Sequence, residues 1–148
     1  MDYRKFGESY YVRMDRGDEI IASLLGLCER EGVRSATFSG IGGCKTAEIQ
    51  VFDPARGVFE GEPIEGVLEL VSIMGNIIQK DDGSPSWHAH ALFASQDAEG
   101  NCRITAGHLK SAVVLYTAEI ELRPVVGGTI GARLDPETGT SFWDFGTD

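Results

Sequence analysis

Ser86-Trp87-His88-Ala89-His90-Ala91-Leu92-Phe93-Ala94-Ser95-Gln96, then Asp97-Ala98-Glu99-Gly100-Asn101, then Cys102-Arg103-Ile104-Thr105-Ala106-Gly107-His108, reads as a strand, a turn and a returning strand. His88 and His90 are two apart, so a strand presents both imidazoles on one face. A turn centred on Glu99 sets His108 directly opposite His90. Opposed residues of an antiparallel pair share a face, with Cβ atoms about 4.5–5.5 Å apart, which brings all three imidazoles together. A bulge or a shorter turn would break this register. The chain contains three histidines, and this hairpin holds them all.

Outward from the hairpin, most of the chain is alternating or β-branched sequence punctuated by Gly, Pro, Asp and Asn. The candidate strands are 8–14, 34–40, 45–53, 57–60, 67–78, 86–96, 102–108 and 111–123. A last hairpin is expected around Asp135-Pro136-Glu137-Thr138-Gly139, within a C-terminal extension over 125–148. In strand 111–123 the core-facing set is Val114, Tyr116, Ala118, Ile120 and Leu122. The other face, from Val113 to Glu121, offers itself to another subunit. One stretch reads differently: Ile20, Leu24 and Cys28, with Ile21 and Leu25, form a single helical stripe over about 18–31, capped by Asp18 and stopped by Gly32. The fold class is α+β, a mainly antiparallel β-sheet with one principal amphipathic helix.

At 148 residues, 42% apolar and 24% charged, the chain suits a single folded domain over 1–148. Its net charge of −10, without a basic stretch, opposes direct binding to nucleic acid or anionic membrane. The longest apolar runs are far too short to span a bilayer, and no apolar segment follows the charged N-terminal residues, so a cytoplasmic location is expected. Cys28, Cys44 and Cys102 are widely spaced and odd in number, and are expected as buried free thiols rather than disulfides or a zinc ribbon.

Two motifs fail on inspection. Gly40-Ile41-Gly42-Gly43-Cys44-Lys45-Thr46 ends like a phosphate-binding loop, but Cys44 replaces the glycine before the lysine and a strand pattern follows. A tight glycine turn between two strands is the expectation. No serine sits in a nucleophile elbow, and no cysteine has an assigned base.

The histidines carry the chemistry. Neutral imidazoles suit borderline divalent ions, and three of them leave a fourth position for water or substrate, as in catalytic zinc sites. The alternative is a set of ordinary hydrogen-bonding histidines on a sheet. Glu69, inside Val67-Leu68-Glu69-Leu70-Val71-Ser72-Ile73-Met74, is expected in a largely buried strand and is the candidate catalytic carboxylate, a general base, fourth ligand or imidazole acceptor. An ion pair or an exposed edge face is the competing reading. Asn76 and Glu119 are weaker candidates, and Trp87 is expected to pack.

Gly40-Ile41-Gly42, Glu69-Leu70-Val71-Ser72-Ile73-Met74-Gly75-Asn76, His88-Ala89-His90, Gly107-His108-Leu109 and Thr117-Ala118-Glu119-Ile120 follow one another in an order that resembles the PPC domain, the plant and prokaryote conserved domain also called DUF296. The resemblance runs over roughly 5–124. It implies an α+β domain that assembles as a homotrimer, with His88, His90 and His108 at the positions of a metal-binding unit. The family is similar in fold to acetolactate decarboxylase, which holds zinc with three histidines, and this implies a lyase-like or hydrolytic role that fold similarity alone does not establish. The family's DNA-binding label comes largely from plant members joined to AT-hooks, a motif this chain lacks. The expected function is therefore a trimeric protein holding a divalent metal, zinc first, and acting on a small carbonyl or carboxylate compound. The alternative is a DNA-associated or regulatory oligomerisation module without catalysis.

Overall fold

Alternation does organise the chain into strands, and several of them run longer than their punctuation suggests. The computed structural model describes residues 1–80 and 82–146. The strands are β1 (Asp2–Phe6), β2 (Ser9–Asp15), β3 (Ala36–Asp53), β4 (Val58–Glu60), β5 (Pro63–Gln79), β6 (Pro85–Gln96), β7 (Cys102–Pro124), β8 (Gly131–Leu134) and β9 (Ser141–Asp144), with one helix, α1 (Ile20–Glu31). Pairing runs β1-β2-β7-β3-β5-β8-β9, β6 bonds to both β5 and β7, and β4 pairs with β3. The β3–β5, β5–β6, β6–β7 and β7–β3 ladders are all antiparallel and form a closed circuit. The α+β reading holds.

The glycine run does not turn. Residues 34–40 and 45–53, read as two strands, are the single strand β3, in which Gly40 faces Ile120 and Gly42 faces Ala118 across the ladder. A Cβ on Gly42 would stand 2.7 Å from the Ala118 Cα, so the glycines serve close strand approach rather than a reversal. The segments 102–108 and 111–123 likewise merge into β7. Register shifts beside Cys44 and between Glu48 and Ile49 let these long strands bend. One such shift, between the Gly42 and Cys44 pairings, expels Tyr116, expected in the core but 64% exposed, while Val114, Ala118, Ile120 and Leu122 remain buried.

The helix covers one face of the sheet. Ile20, Leu24 and Leu27 are wholly buried, and they share the core with Met14, Phe38, Ile73, Phe93 and Leu122. Gly32 ends α1 in the left-handed conformation, at φ 65°. The N-cap is Glu19, not the expected Asp18. Its Oε2 accepts from the Ala22 N–H at 2.6 Å and its Oε1 from the Ala112 N–H at 3.0 Å, so one carboxylate ties the helix start to β7. Asp18 instead accepts from the Asp15 N–H and pairs with the terminal ammonium.

Cys28 and Cys44 are buried free thiols, but Cys102, expected inside, is exposed. It opens β7 just after the hairpin turn, where Arg103 and Ile104 are exposed as well. The C-terminal hairpin is present as β8 and β9, antiparallel to each other, with the Asp135 carboxylate accepting from the Thr138 hydroxyl at 2.6 Å in the turn. It leans on the edge of β5 through the Gln79 and Gly131 pairing. No helix among the described residues is long and apolar enough to cross a membrane.

Candidate metal centre

On β6 the core takes Ala89, Ala91 and Phe93, which leaves His88 and His90 on the outer face. The ladder pairs His90 with His108 of β7, as a turn centred on Glu99 requires. Each histidine offers one nitrogen, and the three nitrogens lie within 4.8 Å of one another. The ring centroids are 5.1 Å apart for His88 and His90, 4.6 Å for His88 and His108, and 4.5 Å for His90 and His108. Ligand nitrogens on a tetrahedral zinc sit about 3.4 Å apart, within reach of small side-chain rotations.

The surroundings favour uncharged rings. Partial burial first, and the neighbouring His90 second, hold His88 below the ordinary imidazole value. His108 is lowered in the same way, by burial and then by His88 and His90. Burial first, and the neighbouring imidazoles after it, therefore keep the His88 and His108 lone pairs available to a cation, and three nitrogen donors without a carboxylate suit zinc or a similar borderline ion. The Phe59 ring of β4 packs 4.3 Å from His108. Gly107 brings β7 close to β3: a Cβ there would meet the Gln50 carbonyl oxygen at 2.7 Å, and its φ of 154° suits no ordinary side chain.

Glu69 is elsewhere. Expected in a largely buried strand, it is exposed, opposite Ala94 on one side and Gly43 on the other. Its outward turn follows from alternation, because Leu68 and Leu70 take the core side. With Glu119, Ile41, Val71 and Tyr116 it lines a separate concavity. Asn76 is opposite His88 and Met74 opposite His90, and both line the same groove as these histidines. Trp87 packs against the core. Sequence reasoning missed Arg123 and Trp143, which line the same groove. Arg123 reaches it only through the registers of three ladders, and Trp143 only through the docking of the C-terminal hairpin.

Residues 1–126 match the family model of the Plants and Prokaryotes Conserved (PCC) domain, also abbreviated PPC. The chain belongs to the PCC domain family. A PPC protein of Pyrococcus horikoshii is 30% identical, with a TM-score of 0.79 over 97% of this chain and 94% of its own. The metal-containing protein AF0104 of Archaeoglobus fulgidus is 26% identical, with a TM-score of 0.80 over 97% and 98%. A protein of Ralstonia eutropha JMP134, named as a candidate DNA-binding protein, is 26% identical, with a TM-score of 0.83 over 96% and 94%. The fold likeness to acetolactate decarboxylase is also present. A Staphylococcus aureus protein similar to that enzyme superposes with a TM-score of 0.54 at 16% identity, over 82% of this chain and 54% of its own. No curated protein matches the sequence. The PCC match ends before β8, so the hairpin that delivers Trp143 lies beyond the matched residues.

Proposed function

We propose that this PCC protein is a cytoplasmic homotrimer that holds one divalent ion, zinc first, through His88, His90 and His108, and uses it on a small carbonyl or carboxylate compound. The observation that carries this reading is the convergence of the three imidazoles to within 4.8 Å across a hydrogen-bonded strand pair. An ion so held keeps an open position, from which it polarises a carbonyl or activates water. The metal content named for AF0104 supports the same reading. Within one chain Glu69 lines another concavity, so the reading rests on the histidines alone. Trimer formation draws support from the exposed apolar residues Ile41, Val71 and Tyr116, which share that concavity.

The test is elemental mass spectrometry on untagged protein, comparing the native chain with His90→Ala. About one ion per chain, lost in the variant, is the expected result. Native protein that stays folded, carries no metal and takes none up overturns the reading. The DNA-associated alternative rests on the name of the Ralstonia relative and is opposed by a net charge of −10. A gel shift at low salt decides it, and no shift is expected.

A further inference from the structure

We propose that the histidine groove takes an elongated carboxylate, with an oxygen donor at the metal end and an anionic end held by Arg123 about 8–10 Å away. The inference rests on the metal reading above and names the substrate class for that site.

Two rows of outward side chains cross the sheet here. In the first, Arg123 of β7, Thr37 of β3, Asn76 of β5 and His88 of β6 each stand opposite the next. In the second, Glu121, Ser39, Met74, His90 and His108 do the same. Residues of both rows line one open groove of about 630 Å³, walled by Trp143 of β9. Three strand spacings put the Cα atoms of Arg123 and His88 at most about 14 Å apart, and the reach of the two side chains along the groove leaves the shorter gap given above. A ligand no longer than glycolate touches one end only.

The chemistry of the far end selects a carboxylate. Arg123 is the one cationic side chain lining the groove among the described residues, and it is 69% exposed. Its Nη2 lies 3.4 Å from the Glu121 Oε1, a loose contact that leaves most of the guanidinium fork free. Glu121 is itself held from β2, where the Ser9 hydroxyl donates to it at 2.7 Å. A single guanidinium with a carboxylate beside it suits a planar monoanion bound in bidentate fashion, because Glu121 repels a dianionic phosphate more strongly than a singly charged carboxylate. Between the ends, Met74 and Trp143 offer apolar surface to a methylene chain.

Cobalt-loaded protein tests this, because ligands that reach the ion change its visible spectrum. Suberate and octanoate are titrated in parallel; they have equal chain length and differ in the second carboxylate. An extended chain advances about 1.2 Å per bond, so suberate spans the groove. The expected result is about tenfold tighter binding of suberate, an advantage lost in Arg123→Gln and increased in Glu121→Gln. Equal binding of the two acids, no spectral response to either, or an advantage that survives Arg123→Gln overturns the inference. Failure of the protein to bind cobalt overturns the metal reading itself, and cobalt stoichiometry measured first separates the two failures.

Discussion

A proton and a metal compete for the same nitrogen, and at His88 and His108 partial burial already tilts that competition against the proton. Both rings stay neutral to lower pH than an ordinary imidazole of pKa about 6.5. Zinc affinity of the PCC protein is therefore expected to be flat from pH 8 to about 6.5. It then falls on further acidification, as His88 and His108 take up protons in place of the ion. Competition with a chromogenic chelator across pH 5–8 measures this, and affinity that is lost already between pH 8 and 7 contradicts it. The thiols divide by the same physics. Burial pushes Cys28 and Cys44 up to about 11, while Cys102 is exposed. Native protein treated with iodoacetamide at pH 8 should gain one adduct, at Cys102, by peptide mass spectrometry.

At the scale of elements, two devices hold the site-bearing strands in place. Glu19 caps α1 and binds the Ala112 amide of β7 at once, so Glu19→Ala removes two acceptors and should cost about 1–2 kcal/mol in denaturant unfolding. Glu19→Gln keeps an acceptor oxygen and should lose less. Gly107 lets β7 lie against β3 immediately before His108, and the pairing of Gln50 with His108 depends on that approach. Gly107→Ala should displace the third ligand and weaken zinc binding roughly 10- to 100-fold. Melting with and without metal checks that the variant still folds, and full zinc affinity in it would remove this role.

Over the whole molecule, α1 covers one side of the sheet while the other side keeps apolar residues in contact with water. Ile41 is 56% exposed and Val71 50% exposed, although both belong to long central strands. Sedimentation equilibrium should return three times the 16.0 kDa chain mass. Ile41→Glu should shift the protein towards monomer, because a carboxylate at that position would be buried without a partner. A monomeric native protein would leave this face to some other cover.

Local pattern made much of this legible. The period-two alternation, the one helical stripe and the symmetric turn about Glu99 are short-range signals, and they specify the antiparallel sheet, α1 and the pairing of His90 with His108. What local pattern could not carry was whatever depends on how distant strands meet. Glycines that read as a turn became a point of close strand contact, because only the facing Ala118 and Ile120 show why a Cβ is excluded there. Glu69 read as buried from its apolar neighbours, yet alternation around Leu68 and Leu70 turned it outward. Arg123 and Trp143 reached the histidine groove through ladder registers and a docked hairpin. The sequence by itself determined most of the strand-forming segments, the helix and the meeting of the three histidines. Tertiary structure decided the groove around them, because register and bulges add up over strands far apart in the chain, and a one-residue shift exchanges inner and outer faces.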